Sequence, residues 1–140
     1  MFPQKGINFN LMGRFTFKKA ERLSKEKTIQ ELFNRGSSFY LYPFKVVYLL
    51  NPDQSGIAPQ VLISVSSRNF PRAVDRNLIK RRIREAYRLQ KEIIQHGSKQ
   101  GVFAFLYTAK IALPFVEIKN KLFLVLEKIE KLDLDYEVKK

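Results

Sequence analysis

At 140 residues the chain has the length of one domain. Hydrophobic residues make up 45% of it, with twelve Phe and six Tyr, which is enough to build a core and too much for a disordered basic tail. The 26 Lys and Arg against 13 Asp and Glu leave a formal charge of +13, an excess that repels itself in a compact fold and points to an anionic partner, nucleic acid first and an anionic membrane surface next.

The chain has no cysteine, which excludes disulfides, thiolate zinc sites and cysteine nucleophiles and fits a reducing cytoplasm. No apolar run approaches the roughly 20 residues of a membrane span. The opening MFPQKGINFNLMGRF lacks the apolar core of a signal peptide, so the expected location is the cytoplasm.

Residues 1–13, with Gly6, Asn8, Asn10 and Gly13, read as a loose arm in which Met12 is an alternative start. Arg14 to Lys19 alternate and suit an extended segment lying on the domain, which is expected to span 14–132. A first helix is predicted over Ser24 to Arg35, with Ser24 as N-cap and Gly36 as the C′ residue at positive φ. Ile29, Leu32 and Phe33 form its apolar stripe, which on periodicity alone reads as core.

Ser38–Tyr42 and Phe44–Leu50 read as strands broken by Pro43, and Asn51–Pro59 as a surface loop. Gln60–Ser66 is a third strand and Val102–Tyr107 a fourth. Between them a basic turn, Ser67 to Pro71, leads into a long helix from about Ala73 to His96, ended by Gly97. Pro114 suits the first turn of a last helix, Phe115 to Lys131, whose buried stripe is Phe115, Ile118, Leu122, Val125, Leu126 and Ile129. Residues 133–140 read as a frayed tail. The order αβββαβα predicts an α+β two-layer sandwich, helices against a four-stranded sheet.

The long helix carries the charge. From Arg68 to Lys91 nine basic residues face only Asp75 and Glu85, a net +7 of the chain's +13. With Val74 at zero, Asn77, Lys80, Arg81, Arg84, Arg88 and Lys91 fall in an arc of roughly 240° to 340°, and Ile79, Ile83, Ala86, Ile93 and Ile94 in one of roughly 100° to 200°. Arg82 and Arg76 lie at the margins, where Arg82 is expected to snorkel along the sheet edge. A merely solvated face mixes signs for i, i+4 pairing; this one is nearly single-signed and rich in Arg, whose planar fork fits two phosphate oxygens. A membrane helix would set exposed bulky apolar residues beside the charges, whereas here the apolar arc serves the core. A DNA reader would sit in a helix-turn-helix or a dimer, and here a strand and a turn precede the helix. A structured RNA suits the face better, with neither membrane nor DNA as partner.

These residues resemble a known family. Ser64–Ser66, Arg68, Ala73-Val74, Arg76-Asn77, Lys80-Arg81 and Arg84-Glu85-Ala86-Tyr87-Arg88 are similar to the signature of the bacterial ribonuclease P protein component, a basic strand-to-helix turn followed by A-V-x-R-N-x-x-K-R-x-x-R-E. The match extends to Arg22-Leu23, Lys25, Phe33, Gly36 and Tyr48. The resemblance implies the αβββαβα fold with a left-handed crossover, in place of the usual right-handed one. It implies a subunit of the ribonucleoprotein that removes the 5′ leader of precursor tRNA, with the catalytic site and its Mg²⁺ held by the RNA subunit. It assigns contacts with ribonuclease P RNA to Arg76, Asn77, Lys80, Arg81, Arg84 and Arg88, with Arg68 and Arg72 in the preceding basic turn. It places a leader cleft between the first helix and the open sheet face, at Lys25, Ile29, Phe33 and Tyr48, where aromatic rings would stack on bases of any sequence.

The sequence departs from the family pattern twice. Position 29, usually aromatic, is Ile29. The turn Ser66–Arg72 is one residue longer and has one positive charge fewer, which Arg72 is expected to restore from a new position. No nuclease site of the chain's own is visible: His96 reads as a solvated or capping residue, and Asp133 and Asp135 lack the rigid convergence a two-metal site needs. The alternative is a structural RNA-binding protein, such as a ribosomal protein, which needs the basic face but no cleft.

Overall fold

The computed structural model describes residues 21–50, 59–95 and 101–139, with Gln95 and 133–139 described by backbone alone. The expected arm over 1–13, the Arg14–Lys19 segment, most of the turn-rich loop, His96 and Gly97 lie outside the described residues. The elements are α1 (Glu26–Arg35), β1 (Ser37–Leu41), β2 (Phe44–Leu50), β3 (Gln60–Val65), α2 (Ala73–Gln90), α3 (Glu92–Gln95), β4 (Gly101–Tyr107) and α4 (Phe115–Lys139). The last helix runs on to Lys139, so residues 133–139 are helical where a frayed tail was expected.

The four strands form one mixed sheet in the order β1-β2-β4-β3. β1–β2 and β2–β4 are antiparallel; β3 and β4 are parallel neighbours, which makes α2 part of a crossover. The outer edge of β3 is partly covered: Arg22 bridges Val61, and the Leu23 N–H donates to the Val61 carbonyl at 2.9 Å.

Alternation along the strands divides the core in two. One face, with Phe44, Val46, Val61, Val65, Phe103, Phe105 and Tyr107, packs on Ile79, Ile83, Ala86 and Tyr87 of α2 and on Ile118, Leu122, Val125, Leu126 and Ile129 of α4. This is the expected α+β sandwich. The other face carries α1, whose fully buried Leu32 sits in a smaller cluster with Leu23, Val47, Val102 and Ala104. A ten-residue helix covers only part of a four-stranded sheet, so this second face stays partly open. β4 is apolar on both sides because it is a central strand with helices on both faces.

α1 begins at Glu26 with Lys25 as its N-cap, one residue after the expected cap Ser24, and Lys25 makes no side-chain capping bond. Glu26 in the first turn and Arg35 in the last suit the helix dipole, and Arg35 pairs with Glu31 at 2.9 Å. Gly36 ends the helix for a reason other than the one expected. Its backbone is extended (φ −75°, ψ 161°) and its N–H donates to the Leu32 carbonyl at 2.8 Å. A Cβ there would lie 2.4 Å from the Leu32 oxygen and 2.8 Å from the Tyr48 oxygen, both backbone atoms. The glycine thus serves close approach of chain to chain. Gly36→Ala is expected to lower stability by about 1–3 kcal/mol, the cost of overpacking, seen as a lower urea midpoint; an unchanged midpoint would show that the α1–β1 junction yields freely.

Candidate RNA interface

The basic turn is built by local hydrogen bonds. The Arg68 N–H donates to Ser66 Oγ (3.1 Å) and the Phe70 N–H to the Ser66 carbonyl (3.1 Å). The buried Phe70 ring anchors the turn against Tyr107, with centroids 6.2 Å apart. Arg76, from the first turns of α2, reaches back: its Nη1 donates to the carbonyls of Phe70 (2.9 Å) and Pro71 (2.8 Å). The longer turn is therefore tied to the helix by one of the residues expected to contact RNA. Arg72 donates to both carboxylate oxygens of Asp75, at 3.1 and 3.3 Å, which raises its pKa. The charge expected to replace the missing one in the turn is locally neutralised.

Along α2, Asn77, Arg81 and Arg84 are exposed, Lys80 is half-buried, and Arg68 is exposed in the turn. Arg88 is half-buried and donates from Nε to Glu85 (3.1 Å); that hydrogen bond lowers the Glu85 carboxyl below its usual value. Among the described residues, Arg81 and Arg84 have no ion-pair partner. Arg82 turns the other way and donates to the Leu113 carbonyl at 2.6 Å, in the segment leading into α4 and not along the sheet edge where it was expected.

Two details differ from the helical projection. Val74, 73% exposed, and Leu78 sit on the outer side, so exposed apolar residues do accompany the charges. Lys91, placed in the basic arc, is 2% exposed and donates to both oxygens of buried Glu21 at 2.9 Å. The projection fails there because α2 ends at Gln90, and the Ile94 N–H returns to the Lys91 carbonyl in a tighter turn.

Comparison with known proteins decides what this surface belongs to. A model of the Ribonuclease P family matches residues 17–130. The chain is 41% identical over 96 residues to the ribonuclease P protein component of Porphyromonas gingivalis, covering 66% of this chain and 70% of that one. It is 33% identical over 121 residues to the protein component of Petrotoga mobilis, covering 82% and 96%. The chain belongs to the ribonuclease P protein family. Among solved structures, the Staphylococcus aureus RNase P protein superposes with a TM-score of 0.63 at 33% identity, over 81% of this chain and 97% of its own. The Thermotoga maritima RNase P protein gives 0.65 at 24% identity, over 77% and 96%, and shows the shared fold.

The chain is thus an RNA-binding subunit of ribonuclease P, an endoribonuclease of tRNA processing, and the ribosomal-protein alternative is not favoured. Of the positions the ribonuclease P resemblance assigns to a leader cleft, three come together on one flank of α1. Lys25 is exposed at its start, Ile29 is half-buried in the small cluster, and Phe33, a further turn along, is 46% exposed. Phe33 is therefore not the core residue that periodicity alone suggested.

Tyr48 does not join them. It lies on the opposite face of the sheet, packed against the α2–α4 core, its ring 6.0 Å from that of Phe39, over which Lys128 of α4 is placed. A strand alternates, so it is Val47 and Leu49 that face α1. Tyr48 therefore cannot line a cleft beside α1; the strand position facing α1 is Val47, which is buried in the small cluster. The exposed Lys45 two residues earlier was the available signal: a charge inside the strand marks the solvent-reaching face, which Val47 shares and Tyr48 does not.

Among the described residues no three His, Asp or Glu side chains come together as a group that could hold a metal ion. No helix among the described residues is long and apolar enough to cross a membrane.

Proposed function

We propose that this chain binds the RNA of ribonuclease P through the outer face of α2 and holds the 5′ leader of precursor tRNA between α1 and the open sheet face. The observation that carries the reading is the placement of the two surfaces. α2 lies on one side of the sheet and turns its unpaired arginines away from it, while α1 and the open face lie on the other. One rigid domain can therefore hold two RNAs at once.

On this reading the protein does no bond-breaking. Mg²⁺ is held by the RNA subunit, which supplies the chemistry, and no step runs through a metal on this chain. Arg68, Asn77, Lys80, Arg81 and Arg84 make the principal phosphate contacts, with Arg72, Arg76 and Arg88 contributing from their internal bonds. Lys25, Ile29 and Phe33 fix the single-stranded leader, which orients the scissile bond and converts binding into position. The partners are RNAs in the cytoplasm, with neither a membrane nor DNA.

The test is leader cleavage at low Mg²⁺ by a matched bacterial ribonuclease P RNA, with and without this protein. Marked stimulation is expected; none would refute the reading. Phe33→Ala in the reconstituted holoenzyme is expected to weaken binding of precursor tRNA by about five- to tenfold, the loss of one stacked base, with mature tRNA binding unchanged. Equal loss for both substrates would place Phe33 outside any leader site.

A further inference from the structure

Beyond α1, one row of the open sheet face carries no helix among the described residues: Ser64 of β3 and Leu106 of β4, both half-buried, stand in register with Lys45 of β2 and Tyr40 of β1. Tyr40 is 58% exposed and Lys45 beside it is exposed. The row lies two residues, roughly 7 Å, along the strands from the row of Val47 and Ala104 on which α1 sits. It is thus continuous with the proposed leader cleft.

Tyr40 is held at its tip. Its hydroxyl lies 3.3 Å from Thr108 Oγ1, and Thr108 Oγ1 donates to the Pro43 carbonyl at 2.9 Å. Thr108 has a single hydroxyl proton, and the carbonyl takes it, so Tyr40 is the donor of the pair. The Thr108 N–H also donates to the Pro43 carbonyl, at 2.7 Å, which fixes the acceptor itself. An exposed ring held by its hydroxyl loses little further freedom when something stacks on it. A cation beside it supplies the counter-charge a phosphate needs.

We propose that Tyr40 and Lys45 bind a further unpaired nucleotide of the RNA leader, the base stacked on the Tyr40 ring and the phosphate beside Lys45. The inference rests on the leader-cleft reading above and extends its path across the sheet toward the β1–β2 turn. The occupant is single-stranded RNA, because the row offers an aromatic face for one unpaired base and a cation for one phosphate.

The experiment measures holoenzyme affinity for precursor tRNAs whose leaders grow from about 4 to about 16 nucleotides, a span typical of single-strand sites, each normalised to mature tRNA. Tyr40→Ala is expected to remove about fivefold or more of the gain that a longer leader brings. Tyr40→Phe, which loses the tether and keeps the ring, is expected to retain most of it. Lys45→Ala is expected to lose affinity at low salt, with the difference closing as salt rises. A full gain in Tyr40→Ala overturns the proposal, and so does an equal loss in Tyr40→Phe, which would assign the effect to the hydroxyl. Phe33→Ala separates the two levels: if it abolishes the leader effect while Tyr40→Ala does not, the cleft stands and its extension falls. If neither variant changes the leader effect, both fall.

Discussion

Replacing Arg81 and Arg84 together by alanine is expected to weaken binding of ribonuclease P RNA by about a hundredfold or more. A hydrogen bond to a charged group contributes about 1.5–3 kcal/mol, and tenfold in affinity is about 1.4 kcal/mol. The same pair is expected to lower the slope of log affinity against log salt by about 1.4–1.8, since each phosphate neutralised contributes about 0.7–0.9. These two are singled out because of what their neighbours do. Arg72 is bonded to Asp75, Arg88 to Glu85 and Arg76 to two carbonyls, so each must share or exchange a partner to reach a phosphate. Arg81 and Arg84 give up nothing of that kind. Arg72→Ala combined with Arg88→Ala is therefore expected to have the smaller effect. Salt titrations of RNA binding decide it: an equal effect of the two pairs, or an unchanged slope for Arg81 and Arg84, would show that internal pairing does not rank the contacts.

The second large effect concerns Lys91 and Glu21. Both side chains are nearly inaccessible, at 3% and 8%, and they meet at 2.9 Å. Lys91→Met removes the buried cation that meets Glu21 at 2.9 Å, and breaking a buried ion pair costs about 3–5 kcal/mol, against a typical total stability of about 5–15 kcal/mol. A large fall in the urea midpoint is expected. The double variant Glu21→Leu, Lys91→Met is expected to recover most of it, because a well-packed apolar pair avoids the desolvation that the ion pair must offset. A double variant no better than Lys91→Met would show that the surrounding packing, and not the broken ion pair, sets the cost. The pair also joins the two proposed surfaces. Lys91 closes α2, and Glu21 stands directly before Arg22 and Leu23, which align with β3 and lead into α1. Loosening it should therefore blunt the dependence of substrate affinity on leader length as well.

Much of this was legible beforehand, and the reason differs from element to element. The buried stripe of α4 follows from an uninterrupted 3.6 period, and all five of its inner aliphatics are fully buried. The strands of β2 and β4 follow from aromatic and β-branched runs, and the outer face of α2 from the angular separation of Ile79, Ile83 and Ala86 from Arg81 and Arg84. Gly36 was placed correctly as a helix end but for the wrong cause, since space, not positive φ, excludes a Cβ there. Tyr48 was misplaced because family likeness identifies a region of a strand, while alternation decides the face, and an error of one residue reverses it.

The sequence by itself determined the helices with their inner and outer sides, the strands, the anionic partner and the family, because each rests on local period, composition or a spaced motif. Tertiary structure alone decided which charges are free to bind. Lys91 differs from Arg84 only through Glu21, which is 70 residues away along the chain, and Arg76 only through a turn folded back on it. It also decided that α1 and α2 take opposite faces of the sheet, that Val47 and not Tyr48 faces α1, and that Thr108, 68 residues from Tyr40, holds its ring. Contacts between distant residues have no period to read, because they depend on strand order and on the path of the chain between strands.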